Sequence, residues 1–357
     1  MLKFNMKNRL MFVSSILLSI FASKIYLLTL ENLVPRYSIY NPEGLSNWVF
    51  VEESLKNLPD RVNLVFGDST SAPAFRPKIL GKDWINLSIQ ATSPASILTF
   101  ISKIPDNKIN TILLSYSEFN FDHNLNNPYF ETINPNSLPS FKNYFINIIP
   151  EILKMKDSKK LIDETMEFFL SRVSYIFSQK RTIKHYLPKW NFLHLPSPHH
   201  LKNFSINKKD SKNLFTRRLK LDNEDRGYIN REFQLKKEEV GDANQGHDIF
   251  ISSQYMRNIV NKLISKLSKK SKCVLLIEKA QHTNNIYQKY YLQNLNSYYQ
   301  LLSDISEKFN NVYFLKKPQV FPSKFFADGH HLNAEGATKS SHQLRQYLKK
   351  VFNKCQS

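Results

Sequence analysis

Short apolar runs and longer segments of helical spacing alternate in two parts of the chain. Five apolar runs have the length and composition of buried parallel strands: residues 62–66, 84–89, 111–116, 273–277 and 312–315. Helical spacing follows them over residues 94–104, 249–267, 285–309 and 334–352. This alternation predicts an α/β fold, with a doubly wound five-stranded parallel sheet and helices on both of its faces.

A long segment without this alternation separates the third predicted strand from the fourth. Residues 121–248 are polar, aromatic and rich in proline, and they show helical spacing over 141–156 and 161–178. We therefore predict a mostly helical insertion within one domain, 61–357, preceded by a linker or lead-in over 31–60. The insertion suits two roles, a lid or groove for a saccharide and a structural cover over the sheet edge.

The N-terminus has the composition of a membrane anchor. Lys3, Lys7 and Arg9 precede an apolar stretch at residues 10–30, which is long enough for one membrane-spanning helix. The basic flank predicts that the N-terminus stays in the cytoplasm and that the rest of the chain lies outside. A cleaved signal peptide is the alternative, since the continuous apolar part, 10–22, has the matching length. We favour the anchor over residues 1–30 because no small-x-small cleavage site follows. Both alternatives predict an extracytoplasmic domain, periplasmic or extracellular.

Charge and cysteine content narrow the classes of partner and site. The formal net charge is +20, which fits solvated lysines, a membrane surface, an anionic cell-surface polymer or nucleic acid. Because no recognised nucleic-acid motif accompanies the charge, no nucleic-acid partner is predicted. Two cysteines, Cys273 and Cys355, are too few for a disulfide scaffold or a cysteine zinc site. Cys273 is expected to be a small buried hydrophobe, and a disulfide between the two stays open.

Two polar segments lie where strands of the predicted sheet end. In Gly-Asp-Ser, Ser69 directly follows the first predicted strand, at the point where a helix should begin. Asp328 and His331 share a loop between the fifth strand and the last helix. A carboxylate can orient one imidazole nitrogen while the other nitrogen activates a serine.

Each segment alone has an ordinary explanation, the first as a helix cap and the second as a turn. The predicted topology brings both to one sheet edge, where ligands of such sheets bind. We therefore predict Ser69 as nucleophile, His331 as general base and Asp328 as its orienter, with His330 as an alternative base.

These segments resemble the sequence blocks of SGNH (GDSL-like) hydrolases. Phe-Gly-Asp-Ser-Thr is similar to the first block, and Asp-Gly-His-His-Leu-Asn-Ala-Glu-Gly-Ala is similar to the last. The resemblance covers residues 61–118 and 249–353. It implies a three-layer flavodoxin-like fold, ester chemistry without a cofactor or metal, and the same three catalytic residues.

The blocks for the oxyanion hole match less well. The resemblance implies backbone N–H donors at Ser69 and at Ser88, where the family usually has glycine, and a side-chain donor for which Asn120 is the candidate. This looser pattern resembles membrane-anchored relatives that modify cell-surface polymers and work beside a membrane-embedded acyltransferase. The implied substrate is an acyl ester, such as an acetyl ester, or a saccharide of an extracytoplasmic polymer.

Three alternatives accompany this hypothesis. The first is an accessory protein that keeps the SGNH fold without an active oxyanion hole. The second is an unrelated α/β binding protein, in which Ser69 and His331 would lie far apart. The third is a metal site at His194, His199 and His200, which lacks a carboxylate or thiol at ligand spacing.

Overall fold

A five-stranded parallel sheet forms the centre of the protein. The computed structural model describes residues 42–89, 92–106, 108–116, 141–154, 216–229, 254–282, 289–316 and 319–356, with the single positions 14 and 213. The strands are β1 Val62–Gly67, β2 Trp84–Asn86, β3 Ile109–Tyr116, β4 Ser271–Glu278 and β6 Val312–Leu315. Their order across the sheet is β2-β1-β3-β4-β6, and every neighbouring pair is parallel. The predicted α/β fold with a five-stranded parallel sheet is confirmed.

Helices connect the strands as the alternation predicts. Their bounds are α1 Pro42–Lys56, α2 Pro77–Leu80, α3 Pro94–Phe100, α4 Phe141–Asn147, α5 Ile149–Leu153, α6 Gln254–Lys270, α7 Lys289–Ser306 and α8 Ala334–Gln356. A small second sheet pairs β5 Gln281–His282 with β7 Val320–Phe321. Strands of two residues are too short to leave a periodic pattern, so this sheet was not predicted.

Alternation along β1 divides the core between the two faces of the sheet. Leu64 and Phe66 belong to one buried cluster, together with side chains of α1, α3 and α6. Val65 belongs to the other, with side chains of α2 and α8. Successive strand residues point to opposite faces, so both faces of the sheet are covered by helices.

The packed unit begins earlier than the sequence predicts. Residues 31–60 were expected to be a lead-in, but α1 occupies 42–56 and buries Trp48, Phe50 and Val51 in the core. The prolines in this region favoured a linker. Proline is tolerated in the first turn of a helix, and here Pro42 is the first residue of α1.

The described parts of the insertion pack against the sheet domain. Helices α4 and α5 cover 141–153 of the helix expected at 141–156. Farther along, the Asn86 backbone N–H at the end of β2 donates to the carbonyl of Arg226. The Ile229 N–H donates to the carbonyl of Ala72, in the loop after β1. Residues 216–229 therefore cover the β2 edge, while the rest of 121–248, including the expected helix at 161–178, lies outside the described residues.

Two observations concern the predicted membrane anchor and the cysteines. Among the residues that the structure describes, there is no helix with the length and apolar character to cross a membrane. The anchor predicted at residues 1–30 lies outside the described residues, except for position 14. Cys273 is fully buried, as predicted, and it is disulfide-bonded. The chain contains one other cysteine, Cys355.

Candidate active site

Ser69 lies in a tight turn immediately after β1. A Cβ on Gly67 would overlap the carbonyl oxygen of Ser115 in β3, so glycine lets β1 end close against its neighbour. One carboxylate oxygen of Asp68 then accepts hydrogen bonds from the Thr70 N–H at 2.8 Å and the Thr70 hydroxyl at 2.6 Å. Ser69, between them, is half-buried at the mouth of the sheet. Within the described part of the chain, no group is hydrogen-bonded to its hydroxyl.

Asp328 and His331 form a hydrogen-bonded pair. His331 Nδ1 lies 2.7 Å from the Asp328 Oδ2 atom. The N–H groups of His330 and His331 donate to the other oxygen, Oδ1, at 3.0 and 2.8 Å. Because an ionised carboxylate only accepts hydrogen bonds, His331 carries its proton on Nδ1 and leaves Nε2 as an acceptor. That Nε2 atom is buried and has no partner among the described residues, which is the state required of a general base.

The surroundings of Asp328 keep its carboxylate ionised. Burial by itself raises the pKa of Asp328, but the hydrogen bond and charge of His331 lower it. The two backbone N–H groups lower it further, so that the pKa lies well below its usual range. Hydrogen bonds to the charged form therefore outweigh desolvation.

The residues after His331 hold this loop against the last helix. Leu332 is buried, and the Asn333 side chain accepts hydrogen bonds from the N–H groups of Glu335 and Gly336, at 3.1 and 3.0 Å. Asn333 thereby caps the N-terminus of α8. A Cβ on Gly336 would overlap the carbonyl of Phe325. The Leu-Asn-Ala-Glu-Gly segment thus fixes where the loop that carries Asp328 and His331 enters the helix.

The segment after β1 is held against the last helix, α8. The Arg76 N–H donates to the Ser341 hydroxyl of α8 at 2.8 Å. The charge of Asp68, next to Ser69, acts on the imidazole of His330. These interactions connect the segment after β1 with α8 and relate Asp68 electrostatically to His330. Since His331 Nε2 has no hydrogen-bond partner in the described part of the chain, Ser69 Oγ is not bonded to it in this conformation.

His330 stacks on His331 at the outer side of the pair. The ring centroids are 4.1 Å apart, and the His330 side chain is 54% exposed. Burial and the charges of His331 and Lys279 lower the pKa of His330 to about 4, although Asp328 and Asp68 oppose this shift. A base with so low a pKa is weak at neutral pH, and His330 Nδ1 is 3.8 Å from Asp328 Oδ1. The geometry favours His331 as the base.

The structure describes two of the three predicted oxyanion donors, Ser69 and Ser88. The Ser88 N–H donates to the side-chain oxygen of Asn86 at 3.1 Å, and Ser88 is completely buried. The N–H groups of Leu87 and Ile89 are bonded to carbonyls of β1. The prediction of Ser88 as an oxyanion donor is therefore wrong for this conformation, because a local turn uses its N–H. No partner for the Ser69 N–H is found among the described residues, and Asn120 lies outside them.

Asn86 is a positioning residue that the sequence analysis missed. Its side-chain amide donates to the carbonyls of Ser71, Ala72 and Phe75, at 3.3, 3.2 and 3.0 Å. These carbonyls belong to the loop that follows Ser69, so Asn86 ties β2 to that loop. An asparagine within the second predicted strand could have indicated this role, because a fully buried polar side chain has to be hydrogen-bonded.

The comparisons with known proteins add little to this geometry. A sequence model of an uncharacterised protein family matches residues 189–353, which is less than half of the chain. The match includes Asp328 and His331, while Ser69 precedes it. No curated protein and no solved structure matches the chain.

Proposed function

We propose that the protein is an SGNH-type serine esterase or O-acyltransferase with a three-layer flavodoxin-like fold. The observation that carries the proposal is the Asp328–His331 pair, in which the buried Nε2 of His331 has no partner among the described residues. The strand order β2-β1-β3-β4-β6 supports it as well, because ligands of such sheets bind beyond the carboxyl ends of the strands.

The chemistry follows the roles of these three groups. Ser69 Oγ attacks the carbonyl carbon of an acyl ester while His331 Nε2 takes the hydroxyl proton. The ester C–O bond then breaks, and His331 returns the proton to the leaving alkoxide. A water molecule or a saccharide hydroxyl next attacks the Ser69 acyl-enzyme and releases the acid or a new ester. Asp328 holds the imidazole and stabilises its protonated form throughout.

The oxyanion hole is the weakest part of the proposed site. The Ser69 N–H is one donor, and Asn120 stays a prediction for a second. Losing one such donor reduces the rate about 100–1000-fold. The hydrogen bond between Ser88 and Asn86 thus favours a second candidate function, that of a weak or inactive SGNH-fold accessory protein in surface-polymer assembly.

The proposals for the substrate and the compartment rest on features outside the three proposed catalytic residues. The basic, apolar N-terminus supports a membrane anchor with the domain on the extracytoplasmic side. The disulfide at Cys273 supports the same side, since disulfides persist in oxidising compartments. The net charge of +20 suits an anionic surface polymer whose saccharide is acylated or deacylated. A membrane-embedded acyltransferase is the proposed donor partner.

Covalent labelling with a fluorophosphonate tests the proposal. The full chain, in detergent, is expected to label, and both Ser69→Ala and His331→Ala should abolish labelling. His330→Ala is the matched control for the base, and His342→Ala, an exposed histidine on α8, is the control for loss of any histidine. Both controls should label at wild-type rates.

Two results would count against an enzyme or its assigned base. If the folded wild type does not label, the accessory protein becomes the better proposal. If His330→Ala abolishes labelling while His331→Ala does not, the assignment of the base is wrong. Folding of each variant is checked by circular dichroism before labelling.

A further inference from the structure

Three potential metal ligands converge in the loop before α8. Asp328, His330 and His331 each offer one ligand atom, and these atoms all lie within 4.8 Å of one another. Two imidazoles and one carboxylate are ligands that suit Zn²⁺ and neighbouring first-row ions. We propose that this cluster binds a divalent transition-metal ion and that the bound ion blocks the serine site reversibly.

The geometry needs two small rearrangements. A tetrahedral Zn²⁺ with bonds of about 2.0–2.2 Å separates its ligand atoms by about 3.4 Å. His331 Nδ1 and Asp328 Oδ2, at 2.7 Å, would have to separate by about 0.7 Å, whereas His330 Nδ1, 3.8 Å from Asp328 Oδ1, would have to approach it by about 0.4 Å. His330 is more than half exposed, so its ring is free to turn. The other movement replaces the hydrogen bond between His331 and Asp328 with two bonds to the ion.

The charges around the cluster favour a cation. Asp328 and Asp68 are acidic, and Lys279 is the basic group that acts on the His330 ring, so these three charges sum to one negative charge. A neutral imidazole is the form that binds metal.

Bound metal would remove the general base. An ion on His331 Nδ1 displaces the proton that this nitrogen carries, and the proton moves to Nε2, which then cannot accept another. An ion on Nε2 instead occupies the lone pair that would accept the Ser69 proton. Neither case forms or breaks a covalent bond between carbon and oxygen, so a chelator should reverse the effect. The inhibition rests on the proposed function, but the binding of the ion does not.

Calorimetric titration of the full chain with ZnCl₂ at neutral pH tests the binding. His330→Ala should weaken the affinity at least about 10-fold, since even outer-shell partners of a metal are worth 10–100-fold. His342→Ala on α8 and the double variant His199→Ala/His200→Ala should bind like the wild type. Fluorophosphonate labelling of Ser69 should fall in ZnCl₂, recover with EDTA, and resist Zn²⁺ in His330→Ala.

The possible failures are distinguishable. Wild type without saturable Zn²⁺ binding, or binding lost in His199→Ala/His200→Ala but kept in His330→Ala, overturns the site. Binding at the cluster with unchanged or faster labelling overturns the inhibitory role alone. A chain that never labels yet loses Zn²⁺ affinity in His330→Ala contradicts the proposed function and supports the metal site.

Discussion

Replacing Asp328 with asparagine removes one charge and keeps nearly the same shape. The side-chain oxygen in Asp328→Asn can still accept the two backbone N–H groups that Asp328 Oδ1 accepts at 3.0 and 2.8 Å. The new NH₂ group then faces His331 Nδ1, which lies 2.7 Å from the carboxylate oxygen of the native residue. Two donors cannot face each other at this distance. His331 therefore has to move its proton to Nε2 and loses its ability to act as a base.

The size of the effect follows from this change of tautomer. Locking the base in the wrong tautomer of a serine triad lowers turnover by about 10⁴-fold, and we expect ~10³–10⁴-fold slower fluorophosphonate labelling. This corresponds to about 4–5.5 kcal/mol of activation free energy. The effect on stability is much smaller. The Asp328 side chain is 44% exposed, and exposed ion pairs are worth at most about 1 kcal/mol.

The assay measures the labelling rate constant and the free energy of unfolding for the same protein preparations. Glu335→Gln, a neutralised carboxylate in the first turn of α8, is the matched control and should label at the wild-type rate. If Asp328→Asn labels within about tenfold of the wild type while remaining folded, Asp328 does not set the tautomer of His331. A large loss of stability with the labelling rate retained would make the pair purely structural.

Three further predictions concern stability. Gly67→Ala should lose at least about 3 kcal/mol of unfolding free energy in urea titration, because the new Cβ overlaps backbone of β3. Asn86→Ala should lose about 3–5 kcal/mol and slow labelling, since it leaves three carbonyls and one N–H without their partner. Burial raises the pKa of Tyr228 to about 12 from 10.0, so the unfolded chain loses this proton first as pH rises. The free energy of unfolding should therefore fall by up to about 2.7 kcal/mol between pH 10 and 12, and Tyr228→Phe should remove this fall.

Each of these predictions has a variant for comparison. Ser69→Ala, two positions from Gly67, should keep the wild-type stability within about 0.5 kcal/mol. Asn110→Ala removes one exposed side-chain hydrogen bond and should cost less than about 1 kcal/mol. Tyr347→Phe on α8 should leave the fall of stability at high pH unchanged. If any test variant has the same unfolding free energy, or the same pH dependence of it, as its control, the contact that we invoke for it does not contribute to stability.

The strands could be predicted from sequence because burial on both faces leaves continuous apolar runs. Residues 312–315 match β6 to the residue, and the runs at 62–66 and 273–277 lie within β1 and β4. The predicted second strand, 84–89, is longer than β2 by three residues, although Leu87 and Ile89 still donate to β1. Helix α1 was missed because its apolar residues pack against a core that the local pattern does not reveal.

The chain sequence alone determined the order of the strands along the chain and placed Ser69, Asp328 and His331 after apolar runs that end at one edge. It could do so because periodicity and strand ends are local properties. In a parallel sheet, the carboxyl ends of the strands lie at the same edge. Only the tertiary structure decided that the Ser88 N–H is taken by Asn86, and that His331 Nε2 is buried without a partner among the described residues. A hydrogen-bond partner depends on which distant segments pack together, and no local pattern records that choice.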